Sequence, residues 1–290
     1  MALSASTAEV LVSTTCSLPH WQAITPRWLL RLLPWTEVAT GVYLVNRVIA
    51  GAETKSEHPE GTPLRVTFPD YDPKPQEIRL SQIDAVLEMH VRLPHLLNYP
   101  HDQLAEQIRL VKEAIKEEQE RLLLNSTSFG LLHACAPDQR LQAKGSAPTP
   151  DDMDELLSMV WNSPGFFVAH PKAIAEFGRQ CTSRGVPLES VVMFGVPFVT
   201  WRGVPLVPST KMPLGAGKKG QRASSIVLLR TGEERQGVSA LRRGQGVPHG
   251  IVIRDMGVDS RSIATYLLTC FFSLSIPVDD AVAVLEGVRV

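Results

Sequence analysis

The pattern nearest to a recognised chemical site is Gly215-Ala216-Gly217-Lys218-Lys219-Gly220, a Gly-x-Gly-x-x-Gly run. Such a run cradles a pyrophosphate only where it joins a strand to a helix whose first amides face the phosphates. Here Pro208 and Pro213 precede it and the strand-like segment SSIVLLR follows, so no helix is available. A P-loop fails too: Met212 stands where its first glycine belongs, and Lys219 where Ser or Thr would hold magnesium. The run reads as a basic surface loop.

The remaining reactive side chains form no constellation. The eight histidines are scattered, with no His-x-x-x-His or His-Glu-x-x-His pair. His133 and Cys135 are two apart, which on a strand puts both on one face. A metal would still need two more ligands, and none is suggested. The cysteines, Cys16, Cys135, Cys181 and Cys270, lie far apart and build neither a disulfide framework nor a zinc site. No Gly-x-Ser-x-Gly elbow is present. Asp151, Asp152, Asp154 and Glu155 cluster where a helix opens, and the helix dipole accounts for them. The sequence therefore yields no catalytic, cofactor-binding or metal-binding residue. A cysteine nucleophile with a distant histidine stays open, with Cys135 and Cys181 as its candidates.

Composition narrows the classes further. The chain has 290 residues and a formal net charge of -1, which gives no general attraction to nucleic acid or anionic lipid. Reduced thiols fit a cytoplasmic location. Met1–Pro19 lacks the basic and apolar regions of a signal peptide. The longest apolar run, Tyr266–Ile276, is too short for a membrane-spanning helix and reads as a buried strand.

The elements that would position any site are mixed α and β. The first twenty residues read as an arm without a core of its own, with a disordered tail as the alternative. Ile24–Trp35 has helical spacing, with Trp28, Leu29, Leu32 and Leu33 on one face and Arg27 and Arg31 on another, and Pro34 stops it. Val42–Val48 and Leu64–Phe68 read as the strands of a long hairpin with a polar tip at Ala50–Pro63. Such a ribbon is marginal alone and needs a surface, supplied by a neighbouring subunit or by its own domain. Pro69–Pro75 reads as a linker.

Asp102–Leu124 is the clearest helix, with Asp102 as N-cap and Glu117 placed to pair with Arg121. Its stripe of Leu104, Ile108, Val111, Ile115 and Leu122 is apolar. Thr149 caps a second helix that opens with Pro150. Phe166–His170 is a strand, Pro171–Gln180 a helix and Thr182–Pro187 a loop. Strands at Val191–Phe194, Phe198–Trp201, Ser224–Arg230, Ile251–Arg254, Ser262–Ser275 and Ala281–Val288 complete an α+β pattern without βαβ alternation.

An arm, a ribbon and a spine-like helix without catalytic chemistry point to a subunit that assembles with copies of itself. A cysteine-dependent enzyme is one competitor. A peripheral membrane protein is another, because Ile24–Trp35 carries the tryptophans and arginines of an interfacial helix.

Ile24–Val48, ITPRWLLRLLPWTEVATGVYLVNRV, resembles the encapsulins, nanocompartment shell proteins related to tailed-phage major capsid proteins, and specifically their second family. Asn98–Leu214 adds support, including SPGFFVAHP at Ser163–Pro171. The resemblance implies the Hong Kong 97-type tailed-phage major capsid fold: an N-terminal arm (1–24), an extended loop and peripheral domain with a spine helix (25–149), an axial domain (150–255) and return strands of the peripheral domain (256–290). It implies about sixty copies in an icosahedral shell, with no nucleic acid and no membrane insertion. Nothing here is long enough for the cyclic-nucleotide-binding insert of one subgroup. The other subgroup typically encloses a cysteine desulfurase, a pyridoxal-phosphate enzyme of sulfur metabolism, so cargo and cofactor would belong to the guest. By order of elements, Thr182, Ser183, Arg184, Gly185 and Val186 would line the fivefold pore. Arg184 repeated five times would favour small anions; an outward-facing Arg184 is the alternative. A phage capsid protein shares the fold and stays open.

Overall fold

A computed structural model of the chain describes residues 25–46, 48–50, 69–90, 103–145, 147–216, 222–244, 250–261 and 263–290. The arm, the ribbon tip, Leu64–Phe68, Cys16, Asp102 and Gly217–Gly220 lie outside the described residues.

In chain order the elements are α1 (Trp28–Leu32), β1 (Trp35–Val38), β2 (Val42–Val45), β3 (Val48–Ala50), β4 (Asp70–Tyr71), β5 (Gln76–Arg79) and β6 (Ser81–His90). There follow α2 (Gln103–Asn125), α3 (Leu131–Ala134), β7 (Arg140–Gln142), α4 (Pro150–Met159), β8 (Phe166–Ala169) and α5 (Pro171–Ser183). The remaining strands are β9 (Glu189–Met193), β10 (Val196–Trp201), β11 (Val204–Pro208), β12 (Gly215–Ala216), β13 (Arg222–Leu229), β14 (Ser239–Arg243), β15 (Ile251–Val258), β16 (Ile263–Ser275) and β17 (Val282–Arg289), with 3-10 turns at Pro137–Gln139, Glu233–Arg235 and Asp279–Ala281.

The larger sheet runs β7-β17-β13-β8-β11-β10-β9, with β12 beside β13. Its central strand β8, FFVA, is buried at every residue, as a strand covered on both faces must be. Phe167 and Ala169 pack with Met153 and Leu156 of α4 and Phe177 and Cys181 of α5. Phe166 and Val168 face the other way, into the core shared with Leu29, Leu123, Leu124 and Phe272. The smaller sheet is built on β16. β6 pairs along one edge (Ile263↔His90 to Phe272↔Ser81), and β15 and β14 follow one another along the opposite edge. Tyr266–Ile276 thus lies mostly within a buried strand, as its apolar run requires. β1 then joins β14 in parallel, with Glu37 opposite Arg242 and their side chains 2.7 Å apart.

Helix α2 packs against β6 and β16, and its 23 residues span about 35 Å. Thr149 caps α4 through a complete capping box with Asp152. The hairpin turns Phe194-Gly195 and Arg202-Gly203 all have positive φ (52°, 76°, 50° and 82°), the two-residue turn whose twist matches its flanking strands.

Several elements differ from expectation. The first helix is only five residues long: Pro34 forces Leu33 into extended backbone (φ -71°, ψ 133°), and Trp35 starts β1 instead. Arg27 sits outside the helix in left-handed backbone (φ 51°). β2 pairs with Gln76–Arg79, and part of the expected linker, Asp70–Tyr71, pairs with β3, because alternate pairing partners were available a few residues downstream. Arg121 pairs with Glu118 rather than Glu117, whose carboxylate is drawn inward by other partners. His133 lies in the last turn of the short helix α3 and Cys135 caps it, so the two share no strand face. β17 lies in the larger sheet, whereas β14 and β15 lie in the smaller one.

Candidate assembly site

Among the described residues the cysteine thiols are placed to stay inert. Burial pushes the Cys135 thiol up to about 11 and the Cys270 thiol to about 12, and it raises Cys181 as well. A nucleophile needs the thiolate, which these surroundings disfavour. His170 caps α5: its Nδ1 accepts the amide of Lys172 at 3.1 Å. Burial and the neighbouring Lys172 lower its pKa, consistent with the neutral imidazole this bond requires. No group of three or more potential metal ligands occurs among the described residues. Gly215–Ala216 pairs back onto β13 as a strand.

The polar groups of the chain instead tie elements together. The N-terminal segment is anchored on α2 through one hub of half-buried polar groups around the buried Glu120. Glu113, Glu117 and Glu120 lie at i, i+4 and i+7, hence on one helix face. Arg27 reaches Glu113 at 2.5 Å, and the Thr25 hydroxyl donates to Glu117 at 2.8 Å. Glu120, almost wholly buried, accepts the Leu29 amide at 2.9 Å and the Lys211 ammonium. Lys211 also meets Glu117 at 2.7 Å.

Trp28, which starts α1, is enclosed by Phe194 (ring centroids 5.9 Å apart) and Phe198 (5.0 Å), with the Arg31 guanidinium 5.4 Å from its centroid. That tryptophan is consumed by the core rather than offered to lipid. Among the described residues no helix is long and apolar enough to cross a membrane. Sequence reasoning did not find this hub; its one visible signal was the acidic i, i+4, i+7 stripe, which demands a basic partner without naming it.

The ribbon of β2 and β5 is tied at Tyr43, whose hydroxyl donates to the Glu233 carboxylate. That bond, with burial and the nearby charge, raises the phenol to about 12 and keeps it a donor.

The candidate pore residues are brought together, but not as a free loop. Thr182 and Ser183 form the last turn of α5, and Arg184 is its C-cap. Val186 N–H bonds to Cys181 O (2.9 Å) and Gly185 N–H to Thr182 O (3.1 Å), with Gly185 at φ 70°. This double bond pattern is the Schellman ending of a helix, in which the residue after the glycine packs back on the last turn. Val186 does so, against the core that contains Cys181. Arg184 pairs with Asp151 at 3.0 Å in an exposed ion pair, so its charge is not bare.

The model of the SrpI-like type 2A encapsulin shell proteins matches residues 47–290. The chain belongs to this family. It is 47% identical to the type 2A encapsulin shell protein SrpI of Synechococcus elongatus, over 100% of this chain and 95% of that protein. The solved holo-SrpI encapsulin complex from that organism matches at TM-score 0.82 and 45% identity, covering 100% of this chain and 97% of that one. The capsid of a native GTA particle matches at TM-score 0.63 over 99% and 100% of the two chains, with 12% identity, a likeness of fold alone. The architecture is therefore the Hong Kong 97-type capsid fold that encapsulins share with phage capsids. The matched relatives are named as shell proteins, not as enzymes.

Proposed function

We propose that this type 2A encapsulin subunit assembles with about sixty copies of itself into a closed icosahedral shell that encloses a cargo enzyme, a cysteine desulfurase of sulfur metabolism. The observation that carries the reading is the full-length match to SrpI, whose solved form is a holo encapsulin complex. The build of the chain agrees: polar contacts hold an N-terminal segment and a ribbon to the body. The pyridoxal phosphate would belong to the cargo. The expected setting is the cytoplasm.

Light scattering on the purified full chain tests assembly: megadalton particles are expected, and a monodisperse species of 31.9 kDa at all practical concentrations would refute it. The particles, isolated from their own cells, are then identified by mass spectrometry. A desulfurase in the particle fraction supports the cargo, and a different enzyme there replaces it.

The C-terminal end of α5 is the part proposed to approach the fivefold opening, with Arg184 and Asp151 contributing as a pair. A paired ring prefers anions less than a bare ring of arginines. Asp151→Asn is then expected to speed entry of small anions into sealed shells, and Arg184→Glu to slow it. Equal entry rates in both variants would remove these residues from the pore.

A further inference from the structure

The ribbon of β2 and β5 joins the body in a way that allows it to swing. At its base the Leu80 N–H bonds to Gly41 O at 3.1 Å and closes the strand pair. A Cβ at Gly41 would meet nothing within 4 Å, so this turn residue itself is unpacked, while on the other strand β5 stays near β16. On one side a cleft of about 690 Å³ separates the ribbon strand Gln76–Arg79 from Phe129, Ser273, Leu274 and Ile276 of the body. Elsewhere, Tyr43 reaches Glu233. Among the described residues this is the side-chain hydrogen bond that ties the two ribbon strands to the body.

The acceptor stands on a stiff support. Glu233 opens a 3-10 turn between Gly232 (φ 99°) and Gln236 (φ 53°), closed by Gly237 N–H to Gly232 O at 2.8 Å. A Cβ at Gly237 would lie 2.7 Å from Arg230 O, so the loop fits one way only. Arg230 itself is buried and grips Asp280 with two hydrogen bonds. One partner is thus fixed to the core and the other rides on the ribbon.

We propose that the base of the ribbon is a hinge and that the Tyr43–Glu233 contact is its latch, holding the ribbon before assembly at the angle in which it meets a neighbouring copy. The proposal rests on the shell reading above. A ribbon already held in place loses less freedom on docking, which favours association. A hydrogen bond of this kind shifts an opening equilibrium by about three- to tenfold.

The test uses the full chain with Tyr43→Phe, which keeps the ring, and separately Glu233→Gln. Shells are taken apart, and amide hydrogen exchange is measured on the released subunits by peptide mass spectrometry. Reassembly is then followed by light scattering. Both variants are expected to exchange about three- to tenfold faster at β2 and β5, with β13 unchanged, and to assemble more slowly by a similar factor. The double variant should be no worse than either single one. Unchanged exchange in both variants, or faster exchange with an unchanged assembly rate, overturns the proposal. A wild-type chain that never assembles overturns the shell reading and the assembly half of this one, while the exchange comparison still decides the latch.

Discussion

Cys135, Cys181 and Cys270 show how burial alone decides the fate of a reactive residue type. Their raised pKa values carry a signed consequence for stability. An unfolded thiol loses its proton near 9, whereas folded Cys135 and Cys270 hold theirs to about 11 and 12. Above pH 9 the unfolded chain binds fewer protons than the folded one, so these two thiols make stability fall as pH rises from about 9 towards 12. The unfolding midpoint in urea should drop across that window, and Cys135→Ser with Cys270→Ala should flatten the drop. Native alkylation at pH 8 should leave the peptides that carry these three cysteines unmodified. Spacing alone shows that the sequence carries no local metal or nucleophile motif. The inertness of each cysteine was not legible there, because it depends on elements more than a hundred residues away, such as Val282 O against the Cys135 thiol.

Helix α2 is the element on which the N-terminal segment depends, and Lys211 closes that joint. With its side chain 2% exposed, Glu120 cannot lose its cation cheaply. Lys211→Met should therefore cost about 3 kcal/mol, the penalty of leaving a buried charge unpaired. Thermal unfolding would read it as a lowered Tm, with Lys211→Arg partly restoring it. Helix α2 itself was legible in the sequence, as were the capped start of α4 and the strands β8, β10, β13, β16 and β17. Each of these has a local signature: a long apolar stripe, a Thr-Pro-Asp-Asp opening, or a β-branched run. β6 escaped because SQIDAVLEMH alternates as a half-covered strand while carrying helix-favouring Ala, Leu, Glu and Met. Pairing along the whole of β16 overrides that preference. The end of α5 escaped for a different reason: Thr182–Pro187 contains a glycine and a proline, and only the backbone bonds show that the helix continues to Ser183.

At the scale of the whole molecule, two edge strands end their sheets with apolar side chains on the surface. β9 carries Val192 and Phe194 beside it, and β15 carries Ile253 and Met256. Edges of this kind are hazards in a lone protein and contact surfaces in an assembly. Amide exchange in β9 and β15 should slow at least about tenfold between released subunits and intact shells; equal rates would place both edges away from the contacts. The order of strands in the larger sheet also sets a clock. β13 lies between β8 and β17, yet 60 residues of chain separate Leu229 from Arg289. At roughly 5–20 residues per second on the ribosome, the uncharged edge Ile226–Leu229 waits about 3–12 seconds for its partner. Sister chains growing on the same message pass through that interval together. A protein that must meet its own copies in only one arrangement is, during its synthesis, briefly able to meet them in another, and the pace of translation bears on the yield of correct shells.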